Sequence, residues 1–98
     1  MPATSPNQQA FWNGPAGAQW VTSQDVLDIM LAPMTAPAMD ALGDVRGRAV
    51  LDIGCGAGTT TMMLAERGAR RVLGADISAP LIALARSRAA KTGSPARF

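Results

Sequence analysis

The 98-residue sequence contains no histidine, no tyrosine and a single cysteine, Cys55. One cysteine excludes a disulfide within the chain. Because no histidine is present to act as its base, Cys55 is better explained as a small side chain in a tight turn than as a nucleophile. We expect no metal site, and the sequence assigns no catalytic residue.

Long hydrophobic runs are also absent. The longest apolar stretch, near residues 26–34, is interrupted by Asp28 and Pro33 and is too short to span a bilayer. No basic segment precedes an apolar core near the start, so a signal peptide is not predicted. We therefore expect a cytoplasmic protein without a membrane segment, and the length suffices for one small domain.

Basic residues are missing from the first 45 positions. That part of the chain contains four aspartates, whereas the remainder has nine basic residues against three acidic ones. Such an imbalance would suit an acidic substrate or nucleic acid, but the basic residues are dispersed and no aromatic stacking platform is interleaved with them. We interpret them as solvated side chains on helix faces, which disfavours a nucleic-acid partner.

A glycine-rich stretch follows a short apolar run. Residues 49–53 are mostly apolar and predict a buried parallel strand. Gly54, Gly56 and Gly58 follow at every second position, and glycine allows the backbone to turn through positive φ and to approach a ligand closely. One of the threonines at positions 59–61 is expected to cap the next helix. Strand, loop and helix form the first half of a βαβ nucleotide-binding unit.

Two details indicate which nucleotide this loop accepts. The dinucleotide fingerprint G-x-G-x-x-G requires Gly or Ala where this chain has Thr59, and no Gly-Lys-Ser/Thr of a phosphate-binding loop is present. Asp52, near the mouth of the loop, would repel a pyrophosphate and attract a cation. A second apolar strand, residues 71–76, ends in Asp76, an acid at the position that accepts the hydroxyls of a ribose.

Both segments resemble a known family. The chain is similar to the class I S-adenosylmethionine-dependent methyltransferases over about residues 48–91, in the first two motifs of that family: Val50-Leu51-Asp52-Ile53-Gly54-Cys55-Gly56-Ala57-Gly58 and Gly74-Ala75-Asp76-Ile77-Ser78. The two motifs in this order and at this spacing are far more specific than the glycine loop alone.

This resemblance implies the cofactor S-adenosylmethionine, a nucleoside that has an ammonium and a sulfonium group and no phosphate. The glycine loop would lie under its methionine part, Asp52 would face its ammonium group, usually through water, and Asp76 would hold its ribose. The residues expected to bind the cofactor are Asp52, Gly54, Cys55, Gly56, Gly58, Asp76, Ile77 and Trp20.

The segment before the glycine loop is expected to have two parts. Residues 1–9, with two prolines and small polar residues, predict a disordered leader. Residues 10–45 predict a helical lid or cap whose aromatic residues either cover a ligand or attach the segment to the domain. Trp12-Asn13-Gly14, with Gly17 and Trp20, is similar to the leader of some small-molecule methyltransferases of this class, in which that segment helps close the cofactor pocket.

The whole pattern predicts an α/β fold with a partial doubly wound parallel sheet, and residues 46–98 would be a truncated cofactor-binding Rossmann-like half. Strands are expected at 49–53 and 71–76 and a third at 96–98. Helices are expected at 23–32, 36–42, 59–67 and 79–91. Pro33 should end the first of these helices, and Ser78 should cap the last one.

The function implied by the resemblance is methyl transfer to a small-molecule acceptor, with the methylated atom and the oligomeric state left open. Loops that shape the acceptor site in this family have no counterpart in the sequence, so we expect the 98 residues alone to be inactive. Two alternatives stay open at this point. One is a nicotinamide- or flavin-binding part of an oxidoreductase, which would need a glycine in place of Thr59, and the other is a non-catalytic binding fragment.

Overall fold

The structure, a computed structural model, describes residues 7–98. Three helices precede a strand–helix–strand–helix unit, which confirms the predicted α/β class. The elements are α1 Gln8–Asn13, α2 Pro15–Thr22, α3 Gln24–Ala41, β1 Ala49–Ile53, α4 Thr59–Glu66, β2 Arg71–Ala75 and α5 Ala79–Thr92.

The two strands are parallel and pair over their whole length, from Ala49 opposite Arg71 to Ile53 opposite Ala75. The third strand, predicted at residues 96–98, is a single parallel bridge between Leu73 and Arg97. In this bridge the amide of Arg97 donates to the Val72 carbonyl at 3.0 Å, and the amide of Gly74 donates to the Arg97 carbonyl at 2.7 Å. The sheet therefore has β2 between β1 and the end of the chain.

The core lies between one face of this sheet and the helices. The larger cluster of buried apolar side chains joins α3, the turn before β1, α4 and β2, and its members are Met39, Val45, Leu64 and Val72. A second cluster joins α4 to α5 and to the final segment, and its members are Met62, Ala89 and Ala96. Burial of these side chains fixes α4 against the sheet directly after the glycine loop.

The prediction that β1 is a fully buried strand is wrong for the structure described. Leu51 is 57% exposed, Ile53 is 80% exposed and Leu73 is 47% exposed. Side chains alternate between the two faces of a sheet, and α4 packs on the face that includes Val72. Within residues 7–98, the opposite face with these three side chains is open.

Helix α3 continues through a position where a helix end was predicted. Pro33 and Pro37 both lie inside one helix, Gln24–Ala41, so the two predicted helices at 23–32 and 36–42 are one element. Both prolines are on the exposed side, where the carbonyls that lose an amide donor are accessible to water. The buried side chains of α3, Gln24 and Met39, lie near its two ends. Contacts at both ends therefore hold the helix across the prolines.

The predicted leader falls mostly outside the described residues. Gln8 and Gln9, its last two residues, form the first turn of α1, which the side chain of Asn7 caps by accepting from the amide of Ala10 at 3.3 Å. Among residues 7–98, no helix has both the length and the hydropathy required to cross a bilayer. The same residues contain no group of three or more side chains suited to hold a metal ion.

Truncation of a core side chain tests this packing. Leu64→Ala, at a site where the side chain is 4% exposed, should lower the free energy of unfolding by about 2–5 kcal/mol, because it leaves a cavity between α4 and the sheet. The measurement is urea denaturation followed by circular dichroism. Leu42→Ala, at a side chain that is 61% exposed, is the matched control and should change stability by less than about 0.5 kcal/mol.

Candidate functional site

A cleft of about 630 Å³ opens at the carboxyl ends of β1 and β2. Ligands of open α/β sheets bind at this edge, and the volume lies within the range of about 300–1,000 Å³ typical of small-molecule sites. The lining is mostly apolar, with one carboxylate, and its residues are Trp12, Trp20, Ile53, Gly54, Gly56, Ala75, Asp76, Ile77 and Leu81.

The glycine loop forms one wall of this cleft. Gly54 has φ +74° and Gly56 has φ +55°, a region that favours glycine, so the conformation explains both residues. A Cβ at either position would meet no protein atom within 4 Å and would enter the cleft. Gly58 has a different role, because a Cβ there would collide with the ring of Phe98. It begins α4 and packs inside the protein, away from the cleft.

Asp76 links the glycine loop to the turn after β2. Its Oδ2 accepts the amide hydrogen of Gly56 at 2.9 Å, and its Oδ1 accepts that of Ser78 at 2.8 Å. A carboxylate oxygen has two lone pairs, so each oxygen keeps one position for a further donor. The predicted site acid therefore lies in the cleft as an organised acceptor.

Asp52 lies behind the glycine loop and does not line the cleft. The hydroxyls of Thr60 and Thr61 both donate to its Oδ2, at 2.7 and 2.8 Å. This arrangement corrects the expectation that one of the threonines caps α4, since the N-cap is Gly58 and no side chain caps it. The reason is position, because the three threonines are the first residues of α4 and the residue before the helix, Gly58, has no side chain that could accept a backbone amide hydrogen.

Cys55 is buried between the loop and β2. Burial raises the pKa of its thiol to about 11, and the charges of Asp52 and Asp76 add to this effect. A thiol with this pKa stays protonated at neutral pH, and only the thiolate is a good nucleophile. Its environment therefore agrees with the interpretation of Cys55 as a small side chain that fits a tight turn.

Trp20 and Ile77, two of the residues expected to bind the cofactor, both line the cleft. Trp12 lies beside Trp20 in an edge-to-face arrangement, with ring centroids 5.6 Å apart and an interplanar angle of 78°. Ile77 is 53% exposed, so its side chain is available at the mouth of the cleft. The aromatic pair forms an apolar wall opposite the glycine loop.

Four lining residues were not singled out as site residues from the sequence: Trp12, Ile53, Ala75 and Leu81. Ile53 and Ala75 are the last residues of the two strands, and the rule that ligands bind at that edge would have indicated them. Trp12 belonged to a motif assigned to the lid, and Leu81 lies in the first turn of the helix predicted at 79–91. For these two, no signal in the sequence distinguishes a lining residue from a core residue.

Helices α1 and α2 form an N-terminal corner, residues 8–22, that is attached to the turn after β2. The side-chain Nδ2 of Asn13 donates to the Ile77 carbonyl at 2.7 Å, and its Oδ1 accepts from the backbone amide of Ala79 at 2.8 Å. The hydroxyl of Ser78 donates to the Trp12 carbonyl at 2.7 Å. These three bonds hold the corner that contains both tryptophans beside the turn that contains Asp76.

Gly17 permits this close attachment. A Cβ at Gly17 would collide with the Trp12 carbonyl and lie 3.2 Å from Ser78 Oγ. The glycine at position 17 is thereby explained. The two interpretations of the aromatic cluster, attachment and cover, are compatible, because the side chains of Asn13 and Ser78 attach the corner while its indole rings line the cleft.

Comparison with known proteins identifies the family of this fold and glycine loop. A family model described as a methyltransferase domain matches residues 50–98, half of the chain. The chain belongs to this methyltransferase family. The family uses S-adenosylmethionine, so the match favours the methyltransferase over the oxidoreductase among the hypotheses drawn from the sequence.

Curated relatives of this methyltransferase chain match the same region. The chain is 43% identical over 61 residues to the ribosomal protein L11 methyltransferase of Deinococcus radiodurans, covering 60% of the chain and 22% of that protein. It is 40% identical over 58 residues to the ubiquinone biosynthesis O-methyltransferase of Neisseria meningitidis serogroup C, covering 59% of the chain and 24% of that protein. The matches thus span less than a quarter of the length of these relatives.

A solved structure extends the likeness to nearly the whole chain. Magnesium protoporphyrin IX methyltransferase from Synechocystis PCC 6803, with bound SAH, superposes with a TM-score of 0.69 at 23% identity. The superposition covers 93% of this chain and 48% of that one. The fold of the methyltransferase chain, including its N-terminal helices, is therefore that of a partial Rossmann-like methyltransferase domain.

The attachment of the N-terminal corner can be tested at Asn13. Asn13→Ala removes the two hydrogen bonds to the turn after β2 and a third to the Gln9 carbonyl within α1, so the amide of Ala79 should lose protection and the free energy of unfolding should fall by about 1–3 kcal/mol. Hydrogen exchange and chemical denaturation measure the two effects. Asn7→Ala, which removes the cap of α1, is the control and should leave the Ala79 amide protected. Unchanged exchange at Ala79 in Asn13→Ala would contradict the attachment.

Proposed function

We propose that the protein containing this chain transfers a methyl group from S-adenosylmethionine to a small-molecule acceptor, and that this chain supplies the cofactor cleft. One observation supports the proposal above the others. Two glycines at positive φ and the carboxylate of Asp76 face one apolar cleft at the carboxyl end of a parallel sheet. Backbone without Cβ atoms forms one side of the cleft, and a carboxylate acceptor lies on the other. This combination suits a nucleoside ligand.

The residues present fit S-adenosylmethionine. Asp76 would accept the ribose hydroxyls with the lone pairs that remain after its bonds to Gly56 and Ser78. Gly54 and Gly56 would lie against the methionine part, because a Cβ at either position would enter the cleft. Both hydrogen bonds of Asp52 within the described residues go to Oδ2, which leaves Oδ1 for the ammonium group through water.

The apolar lining would hold the base of the nucleoside and shield the site from water. Trp20 and Ile77 offer flat and branched apolar surfaces at the mouth of the cleft. The cofactor, when bound, supplies a methyl group on a sulfonium that a nucleophile displaces in line. The contribution of this chain is to bind and orient, which can account for about 7–11 kcal/mol of a displacement barrier when both reactants are aligned.

The acceptor is proposed to be a small molecule. Trp12 and Trp20 form an apolar wall of the cleft, and an apolar cleft of about 630 Å³ has the size of a small-molecule site. Two of the similar proteins are named for small-molecule pathways or substrates, a ubiquinone biosynthesis O-methyltransferase and a magnesium protoporphyrin IX methyltransferase. The ribosomal protein L11 methyltransferases among the relatives define the competing proposal, a protein acceptor.

The proposed contact between the glycine loop and the cofactor is tested by adding a Cβ at Gly56. Gly56→Ala should weaken binding of S-adenosylhomocysteine by at least about tenfold, because the methyl group enters the cleft and strains a positive φ. Isothermal titration calorimetry measures the affinity. Gly93→Ala is a matched control, since Gly93 has φ +70° with equally open space but ends α5, away from the cleft. Equal affinity in the two variants would exclude a loop that contacts the cofactor.

The reaction itself is tested with the protein expressed from its whole reading frame. Methyl-labelled S-adenosylmethionine is incubated with a panel of phenols, amines and carboxylic acids, and in parallel with purified ribosomal proteins. Label transferred to a member of the small-molecule panel supports the proposal. Transfer to a ribosomal protein alone would overturn the small-molecule acceptor and keep the methyltransferase, whereas absence of cofactor binding would overturn both.

A further inference from the structure

A charged pair three-quarters buried lies on the side of the glycine loop opposite the cleft. Arg88 of α5 and Asp28 of α3 form an ion pair of 2.7 Å, and their side chains are 24% and 26% exposed. The two residues are 60 positions apart in the sequence. Desolvating two charges to this extent is costly unless their hydrogen bonds are satisfied, so the remaining contacts of the pair are informative.

The other contacts of Arg88 reach the glycine loop. Its Nη1 donates to the Ala57 carbonyl at 3.0 Å and contacts Thr59 Oγ1 at 3.1 Å. The Thr59 hydroxyl donates to Asp28 Oδ1 at 2.7 Å, and the side-chain amide of Gln24 donates to the same oxygen at 2.9 Å. Asp28, Arg88 and Thr59 thus form a closed ring of hydrogen bonds, and Arg88 also donates from this ring to one backbone carbonyl of the loop.

We propose that Arg88, oriented by Asp28, is a positioning residue that holds the glycine loop in the conformation that binds the cofactor. This inference rests on the proposed function. Ala57 lies between Gly56, which lines the cleft, and Gly58, which begins α4. Ala57 is 3% exposed, so Arg88 binds its carbonyl from inside the protein and leaves the cleft free.

A loop of alternating glycines needs such a contact, because each glycine has a larger set of accessible backbone conformations than other residues. On the cleft side, the amide of Gly56 is fixed by Asp76 at 2.9 Å. On the interior side, the Ala57 carbonyl is fixed by Arg88, and a guanidinium donates through a rigid planar fork. The peptide unit between Cys55 and Gly56 and the unit between Ala57 and Gly58 are thus constrained from opposite directions.

Asp28 extends this constraint to the N-terminal part of the chain. It lies on α3, so the docking of α3 and the order of the loop share one ion pair. A second pair, Asp40–Arg67 at 2.9 Å, also joins α3 to the region of α4. Arg67 is the C-cap of α4, at the end of that helix farthest from the loop. Both pairs attach α3, but the Asp28–Arg88 pair also contacts the glycine loop. Variants of the two pairs can therefore distinguish a general effect of α3 attachment from a specific effect on the loop.

The experiment compares Arg88→Met with Arg67→Met, the same substitution in the two pairs, in the protein expressed from its whole reading frame. Binding of S-adenosylhomocysteine is measured by calorimetry, and exchange of the Gly56 and Gly58 amides is measured in the cofactor-free protein. Arg88→Met should weaken binding and accelerate exchange at Gly58 by about tenfold each, since a charge-assisted hydrogen bond to the loop is lost. Arg67→Met should change both by less than about twofold.

Two further variants keep the test decisive. Arg88→Lys should fall between wild type and Arg88→Met, because an ammonium keeps the charge and lacks the fork. If Arg88→Met does not fold, Asp28→Asn is used in its place. Asp28→Asn should also accelerate exchange at Gly58. Affinity and exchange that respond equally to Arg88→Met and Arg67→Met would overturn the inference. A wild-type protein that does not bind the cofactor would overturn the proposed function, while exchange in the cofactor-free variants still tests whether Arg88 orders the loop.

Discussion

The carboxylate of Asp76 is the interaction on which the geometry of the cleft depends. One of its oxygens is bound to the loop after β1 through Gly56, and the other is bound to the turn after β2 through Ser78. These segments follow different strands, and the side chain of Asp76 links them beyond the point where the strand pairing ends. Ser78 then donates to the Trp12 carbonyl, so the N-terminal corner is placed relative to the same carboxylate. The two walls of the cleft are joined by a short chain of hydrogen bonds.

More carboxylates than cations lie around the glycine loop in the part of the chain that the structure describes. Asp28, Asp52 and Asp76 surround it, and the negative potential of the last two contributes to the raised pKa of Cys55. Asp28 is neutralised by Arg88, whereas Asp52 and Asp76 are stabilised by hydroxyl and amide donors that add no positive charge. The net field at the loop therefore favours a cationic ligand and opposes a phosphate. This preference agrees with a cofactor that has ammonium and sulfonium groups.

Local patterns in the sequence were sufficient for the elements that surround the cleft. The strand at residues 49–53 and its glycine turn, and the cap of α5 by Ser78, depend on neighbours a few positions away. The continuation of α3 through Pro33 could not be predicted in this way, because contacts at the two ends of the helix compensate for the proline. The orientation of Asp52 toward Thr60 and Thr61 could not be predicted from local patterns either.

The contacts of Asn13 and Arg88 were inaccessible to sequence reasoning for a related reason. Asn13 contacts Ile77 across 64 positions, and Arg88 contacts Asp28 across 60. Neither residue type has a spacing or periodicity that distinguishes such a contact from a solvated side chain, and the arginines after residue 45 were interpreted as solvated. The motifs therefore indicated the chemistry of the cleft. The long-range contacts that hold its walls in place could be identified only from the three-dimensional structure.

The position of the two tryptophans has a practical consequence. Both indoles of the 98-residue chain line the cleft, and they contact each other edge to face. Indole emission responds to the polarity around the ring and to stacking with an aromatic base. A nucleoside that enters the cleft would displace water from both rings at once, so the intrinsic tryptophan fluorescence of the chain should change on binding. Occupancy of the cleft can be followed in real time without a label, and the signal originates at the site itself.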